Sequence, residues 1–279
     1  MILGIDVGNS NVVAALLNET GVIKEKRCQT IKQNIEKQYY MKSLNELMKN
    51  QKIEGVIISS VVPEINQTLK EIIEENIKIT PIFVNADLKT GIYIKYDNPH
   101  KLGADLITVA VGATLKYGSP VIIIDIGTAT TFSIINENNE YLGGMIAPGP
   151  HTSIKALSKM TSQLPEIDFI STDKIIGTNT IDCIKIGTIT AHSAMIDGML
   201  DRVLSTLKEP NVKIVATGGE AKEIIDMCSH KITLDKNLIF DGLYEIYRQR
   251  DGDYVCSLSA FTTLRKRLHK NKKSDIISK

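Results

Sequence analysis

Apolar residues near the start of the chain occur in short runs separated by glycine and asparagine. Residues 2–7 and 12–17 form two such runs on either side of Gly8-Asn9-Ser10-Asn11. Because glycine and asparagine tolerate positive φ, the pattern predicts two strands joined by a tight turn. The spacing of later apolar residues predicts strands over residues 56–60 and 81–84, and helices over residues 34–50, 63–73 and 103–117.

The same pattern starts again after residue 118. An apolar strand ending at Asp125 is followed by a glycine turn and by a second strand over residues 131–135. Asp6-Val7-Gly8-Asn9 therefore matches Asp125-Ile126-Gly127-Thr128, which indicates an internal repeat at the scale of a domain. We predict an N-terminal domain over residues 1–118, a C-terminal domain over residues 119–250 and a basic tail over residues 251–279.

Strands and helices alternate through the rest of the second half. The predicted elements are strands over residues 141–146 and 213–216, helices over residues 153–159, 180–207 and 220–228, and a last helix that begins near Phe240. Elements that alternate in this way are typical of an α/β fold.

Composition narrows the functional class. The chain has 279 residues, a net charge of +1 and 43% hydrophobic residues, as ordinary globular domains do. This charge balance gives no reason to expect a nucleic acid or an anionic membrane as a partner. No apolar run approaches the roughly 20 residues that span a bilayer, and no signal-peptide pattern precedes the first strand. We therefore expect a cytoplasmic protein without a membrane or nucleic-acid partner.

The repeated Asp-x-Gly motif is the first candidate for chemistry. Backbone N–H groups of a glycine turn can hold phosphate oxygens, and a carboxylate at the end of the strand can hold a hydrated cation that neutralises phosphate charge. A single Asp-x-Gly is usually a plain turn. Two copies, at Asp6 and Asp125, each at the start of a predicted half and each followed by a strand, favour a triphosphate site.

A third glycine turn, Thr217-Gly218-Gly219, lies between a predicted strand and a helix. Glycines at this position allow a flat ligand such as adenine to lie against the backbone, although a tight strand-to-helix connection explains them equally well. The Walker A and Rossmann glycine patterns are both absent, which disfavours those two nucleotide folds.

The motifs together resemble one family. They match type III pantothenate kinases in order and spacing, from Met1 to about Tyr247, through Asp6 to Asn11, Tyr96 to Pro99, Gly103 to Asp105, Asp125 to Thr130, Gly143 to Gly149 and Thr217 to Gly219. That family belongs to the superfamily of acetate and sugar kinases, heat-shock proteins and actin. The resemblance implies two ribonuclease-H-like domains, each a mixed sheet flanked by helices, with a nucleotide cleft between them. It also implies ATP-dependent phosphorylation of pantothenate to 4′-phosphopantothenate, the first step of coenzyme A biosynthesis.

The resemblance further implies roles for individual residues. The first phosphate motif would comprise Asp6, Val7, Gly8, Asn9, Ser10, Asn11, Val12 and Val13, and Thr128 would also contact ATP. The residues facing pantothenate would be Tyr96, Gly103, Ala104, Asp105, Leu106 and Thr180. Asp125 would bind the monovalent cation, potassium or ammonium, that the family requires, and Asp6 would hold magnesium through the phosphates.

The same resemblance makes Asp105 the general base. The acceptor is a primary alcohol, whose proton has to be removed as its oxygen attacks phosphorus, and a carboxylate within hydrogen-bond reach can do this. Taken alone, Asp105 also reads as an acid of the first helical turn that the helix dipole favours.

One residue departs from the family pattern beside this base. Relatives usually have Arg after the Asp, and this chain has Leu106, which lacks the charge and the fork of donors. The departure leaves three alternatives: an active pantothenate kinase, a weak or inactive paralogue that acts as a regulatory or nucleotide-binding protein, and a kinase for a different small alcohol. A lone histidine such as His192 is expected to be structural, whereas His151, beside a loop expected at the cleft, is a candidate for substrate contact.

Relatives are homodimers whose acceptor pocket is completed across the interface. The helix over residues 180–207 is a candidate interface element here. Simple core packing is the alternative for its apolar side chains, which are Ile184, Ile189, Met195, Met199 and Leu200.

Overall fold

The computed structural model describes residues 1–33, 36–168 and 174–250, so the predicted basic tail lies outside the described residues. Up to residue 117 the elements are β1 (Ile2–Val7), β2 (Asn11–Asn18), β3 (Gly21–Gln29), α1 (Lys37–Met48), β4 (Gly55–Ser60), α2 (Pro63–Ile77), β5 (Ile82–Phe83), β6 (Tyr93–Ile94), a 3₁₀ helix (Pro99–Lys101) and α3 (Ala104–Tyr117). The later elements are β7 (Val121–Ile126), β8 (Ala129–Ile135), β9 (Glu140–Pro148), α4 (Pro150–Met160), α5 (Thr180–Leu207), β10 (Lys213–Thr217), α6 (Ala221–Ile225), β11 (Thr233–Leu234) and α7 (Leu238–Gln249).

Two mixed sheets carry the fold, and they repeat one topology. The first has the order β3-β2-β1-β4-β5, and the second has the order β11-β10-β7-β8-β9-β6. In each sheet the strand that carries the Asp pairs antiparallel with the next strand and parallel with a later one. Asp6 is thus in register with Ser59, and Asp125 with Thr217. The predicted internal repeat and the α/β class with mixed sheets flanked by helices are confirmed.

The chain forms two compact units. The first contains Met1–Tyr93, Asn98–Gly118 and the described residues from Ile239 onward, and the second contains Ile94–Asp97 and Ser119–Leu238. Most of α7 therefore packs with the first unit, although it follows the second unit in the chain. Its contacts there include an ion pair between Lys116 Nζ and Asp241 Oδ2 at 2.7 Å and a hydrogen bond from the Tyr247 hydroxyl to Glu54 O at 3.2 Å.

Alternating apolar residues build a core in each unit. In the first unit, one face of β1 and β4 packs against α1 and α2. In the second, alternate isoleucines of β7 pack against α5 and α6. Of the five α5 residues considered for an interface, Ile184, Ile189 and Leu200 are buried, and Met195 and Met199 pack against this core. Core packing is therefore the explanation for that apolar stripe, and the interface interpretation of these residues is not supported.

Most predicted elements agree with the structure, but the strands β3, β6 and β11 were not predicted. The central residues of β3, Lys24, Glu25 and Lys26, are charged, and Lys24 and Glu25 are exposed, because β3 is an edge strand that packs few side chains into the core. Only its backbone bonds to β2 identify it as a strand. None of the described helices has the length and apolar character needed to cross a membrane.

Candidate active site

The first glycine turn is held by hydrogen bonds from outside the β1–β2 hairpin. The Gly8 N–H donates to Asn11 O at 2.9 Å and closes the turn. Beyond the end of β3, the Thr30 hydroxyl donates to Gly8 O at 2.7 Å, and the Thr30 N–H donates to Ser10 O at 3.0 Å. Lys32 Nζ donates to Asn9 Oδ1 at 2.7 Å, which brings a cation beside the turn. Sequence reasoning missed Thr30 and Lys32 because the strand that delivers them was not predicted.

The residue after β4 brings this turn close to the start of α3. The Val61 N–H donates to Val7 O, at the end of β1, at 3.1 Å. The side chain of Val61 would also lie 3.6 Å from a Cβ built on Gly103, the residue before α3. Two groups of predicted site residues, the first phosphate motif and the acceptor segment from Gly103 to Leu106, therefore lie at one edge of the first unit.

Asp105 occupies the first turn of α3. Its Oδ1 accepts the Leu106 N–H at 2.7 Å and also folds back over Gly103, where a Cβ would collide with it. Burial raises the pKa of the Asp105 carboxyl, and the backbone N–H groups of Leu106 and Asp105 itself oppose that rise. A half-buried carboxylate with a raised pKa is chemically suited to accept a proton from an alcohol. The helix-start interpretation and the catalytic interpretation of Asp105 are thus compatible.

Tyr96 and Thr180 belong to the second unit. Tyr96 follows β6 and is 42% exposed. Thr180 is the exposed first residue of α5, whose N-terminus is capped by the Asn179 side chain accepting the Asp182 N–H at 2.9 Å. Both side chains are accessible to a ligand.

The second glycine turn lies where three segments of the second unit converge. The Gly127 N–H donates to Ala129 O at 3.0 Å between β7 and β8. From the start of α4, the Gly149 N–H donates to Thr128 O at 3.1 Å. Gly218, with φ of +100°, packs against Ile126 O, and a Cβ there would lie 2.6 Å from Asp125 Oδ1. The separate motifs at residues 125–128, 148–149 and 217–219 thus meet at the end of β7.

These glycines are of two kinds. A Cβ on Gly149 would collide with Gly127 O, and a Cβ on Gly218 would collide with Ile126 O, so the chain itself requires both glycines. Gly127 and Gly219 have no positive φ and no atom within 4 Å of a Cβ built on them. Neither backbone conformation nor packing explains the missing side chain at those two positions. Glycine at such a position allows a ligand to approach the backbone closely.

Glu220 and His192 contact segments next to the Gly127–Thr128 turn. The Glu220 N–H donates to Ile126 O at 3.3 Å, and its carboxylate accepts the His151 N–H at 3.4 Å. Burial raises the pKa of the Glu220 carboxyl. The ring nitrogens of buried His192 lie within hydrogen-bond distance of two backbone carbonyl oxygens, which agrees with the structural role expected for a lone histidine. The sequence contains no signal for the contacts of Glu220 or for the contact of His192 Nε2 with Pro148 O, since these join distant segments.

Comparison with known proteins decides the family. The profile of the type III pantothenate kinase family matches residues 2–202. The chain belongs to the type III pantothenate kinase family. It is 39% identical over 253 residues to the type III pantothenate kinase of Halalkalibacterium halodurans, covering 89% of this chain and 99% of that protein. It is 37% identical over 255 residues to the enzyme of the same name from Bacillus cytotoxicus, covering 89% and 96%.

Solved structures support the fold of this family member. A protein from Campylobacter jejuni, described as a predicted Baf-family transcriptional activator, superposes with a TM-score of 0.57 at 21% identity, covering 90% of this chain and 99% of that one. A predicted N-acetylmannosamine kinase from Listeria monocytogenes superposes with a TM-score of 0.51 at 13% identity, covering 89% and 99%. At these identities the likeness concerns the fold alone.

The raised pKa of Asp105 predicts a pH-dependent effect on stability. The folded state holds this proton more tightly than the unfolded chain does, so stability from this group is present at acid pH and is lost as the pH rises from the ordinary value of 3.8 through the raised one. Asn does not ionise, so Asp105→Asn is expected to be more stable than the wild type at neutral pH, with the gap closing below pH 3.8. Urea unfolding of both proteins across this range measures the gap. A gap that does not change with pH would contradict the prediction.

Proposed function

We propose that this protein transfers the γ-phosphoryl group of ATP to the primary hydroxyl of pantothenate, giving 4′-phosphopantothenate and ADP, the first step of coenzyme A biosynthesis. Family membership supports the reaction. The structural observation that carries it is the half-buried carboxylate of Asp105, with its raised pKa, at the same edge of the first unit as the Gly8 turn. Because the reaction consumes ATP, we also propose a cytoplasmic location.

Asp105 acts as the general base. The hydroxyl of the acceptor donates a hydrogen bond to the carboxylate and gives up its proton as the new O–P bond forms, while the bond from phosphorus to the ADP oxygen breaks. Tyr96, Gly103, Ala104, Leu106 and Thr180 are the proposed acceptor contacts. A carboxyl with a raised pKa is a better proton acceptor than an ordinary Asp at neutral pH.

The glycine turns hold the nucleotide. The residues from Asp6 to Val13 and Thr128 are the proposed phosphate contacts, because backbone N–H groups of glycine turns can hold phosphate oxygens. Gly218 and Gly219 are the proposed adenine contacts, and the open space at Gly219 supports a flat ligand against that backbone. We propose that the two repeated halves, residues 1–118 and 119–250, are two domains.

Two cations accompany ATP in this proposal. A divalent ion neutralises the phosphate charge, and hard cations prefer oxygen ligands. Asp6 fits magnesium, because its strand neighbour Ser59 carries a fully buried hydroxyl without a hydrogen-bond partner among the described residues, so oxygen donors are available there. Asp125, the corresponding residue of the repeat, is the proposed ligand of potassium or ammonium.

Leu106 does not disturb the proposed base. The contact that orients Asp105 comes from the backbone N–H of Leu106, at 2.7 Å from Oδ1, and Leu and Arg both keep that donor in place. The lost Arg would affect only the charge offered to substrate. An active kinase is therefore favoured over an inactive paralogue.

We further propose a homodimer. Most of the large exposed apolar side chains among the described residues belong to the second unit, and a homodimer would bury some of them. They include Leu142, Ile146, Leu157, Met160, Ile175, Ile176 and Ile181.

Turnover tests the function directly. In an assay of ADP release with pantothenate, magnesium and potassium, the wild type is expected to turn over, and Asp105→Asn is expected to lower kcat by about 10²- to 10⁴-fold, the usual contribution of a general base. Asp87→Asn, which removes an exposed carboxylate of the same unit, is the matched control and should keep wild-type rates. Leu106→Arg is expected to change the rate little, and a large gain in rate would mean that Leu106 impairs the natural chain.

Other results of that assay would overturn the function. ATP binding without turnover on any alcohol identifies the non-catalytic paralogue, and turnover only on another alcohol identifies a different acceptor. Equal rates in Asp105→Asn and the wild type would remove Asp105 from the mechanism.

The two kinds of glycine predict opposite phenotypes. Gly127→Ala is expected to keep wild-type stability and to weaken binding of the ATP analogue AMP-PNP by about tenfold, because a methyl group fills the space left for phosphate. Gly149→Ala is expected to lose about 1–3 kcal/mol of unfolding free energy, because its methyl group meets the Gly127 carbonyl. Calorimetric titration and urea unfolding separate the two effects. Wild-type affinity in Gly127→Ala would refute the assignment of that turn.

Size-exclusion chromatography with light scattering, which measures the mass of the eluting protein, tests the dimer. The wild type is expected to show twice the mass of one chain, and Ile146→Glu, which charges a 73% exposed side chain on β9, is expected to shift the protein towards a single chain. A wild type with the mass of one chain would exclude the dimer.

A further inference from the structure

His192 contacts Pro148 O, and the proposed reaction gives this contact no role. It lies on α5 and is 6% exposed. Its Nδ1 is 2.8 Å from Thr188 O in its own helix, whereas its Nε2 is 3.1 Å from Pro148 O at the end of β9. The contact with Pro148 O joins α5 to a different segment of the second unit. It can therefore fix the position of that segment relative to α5.

The segment that His192 reaches is the one that holds the second glycine turn. Immediately after Pro148, the Gly149 N–H donates to Thr128 O at 3.1 Å, and the Thr152 hydroxyl donates to the same oxygen at 2.6 Å. Two hydrogen bonds from this corner therefore converge on one carbonyl of the turn. We define the corner as residues 148–152.

Packing makes the position of the corner consequential. Gly149 lies so close to the Gly127 and Thr128 carbonyls that a Cβ would collide with both. The corner is also bonded from the third glycine loop, since Glu220 accepts the His151 N–H at 3.4 Å. With backbone in direct contact, a displacement of the corner moves the turn as well.

We propose that His192 is a positioning residue for ATP: the contact of its Nε2 with Pro148 O holds the corner against the Gly127–Thr128 turn. The inference rests on the proposed function, in which this turn contacts the nucleotide. His192 itself touches no substrate. Its loss would let the corner move and would weaken ATP binding, while the chemistry at Asp105 in the first unit is left in place.

Two amide substitutions separate this role from a general structural one. The Gln amide nitrogen is as many bonds from Cβ as histidine Nε2 is, and the Asn amide nitrogen as many as Nδ1. His192→Gln can therefore still donate to Pro148 O, whereas His192→Asn can reach only the carbonyl of its own helix. Thr152→Val, which removes a bond to Thr128 O, serves as a positive control, and Ser205→Ala, an exposed hydroxyl on the same helix, serves as a negative control.

The readouts are AMP-PNP affinity by calorimetric titration and the KM values for ATP and pantothenate. His192→Asn is expected to weaken AMP-PNP binding and raise the KM for ATP by about two- to tenfold, the range given by one lost hydrogen bond. His192→Gln should stay near the wild type, and the KM for pantothenate should not change in either variant. If the wild type binds AMP-PNP and the Asn and Gln variants bind it with equal affinities, the inference is overturned while the proposed function stands. A wild type without affinity for AMP-PNP overturns the proposed function and the inference together.

Discussion

Backbone packed against backbone at the carboxyl end of β7 is the constraint on which the candidate site depends. Gly149 and Gly218 approach the carbonyls of Gly127 and Ile126 so closely that no side chain fits at either position. This contact brings three loops from distant parts of the chain to one point and sets the place of the Asp125 carboxylate. It also leaves Gly127 and Gly219 facing open space, where a nucleotide can approach. Rigid backbone of this kind costs little reorganisation when a ligand binds.

Asp105 shows how a proposed catalytic role competes with stability. The start of a helix favours a negative charge, and the Leu106 N–H bonds to it directly. Burial disfavours the same charge, and its effect on the pKa is the larger one. The ionised carboxylate is therefore less stable in the folded protein than it would be in water. Its higher affinity for a proton makes it a better base. Gly103 has to lack a side chain for the carboxylate to fold back as it does.

The sequence predicted what depends on local pattern and missed what depends on distant contacts. The β1–β2 hairpin and α5 were predicted with nearly their observed bounds, because uninterrupted apolar periodicity marks them. The edge strand β3 has no such periodicity, and the residues it delivers to the first turn, Thr30 and Lys32, were missed with it. The glycine motifs were recognised, but only the coordinates distinguish the two kinds of glycine. Contacts of His192 and Glu220 join residues tens of positions apart, for which no local pattern exists.

The packing of α7 has a consequence for the order in which the two units fold during translation. The second unit is nearly one continuous stretch of chain, so all of its strands are available as soon as they have been synthesised. The first unit is not, because it needs a helix from the far end: Gly242 sits against the carbonyl of Thr108, and Tyr247 bonds to Glu54. During translation the half that is made first therefore waits for the last helix, and the half that is made second can complete its fold before it. A ribosome that stops before residue 238 releases a chain whose first unit lacks its closing helix.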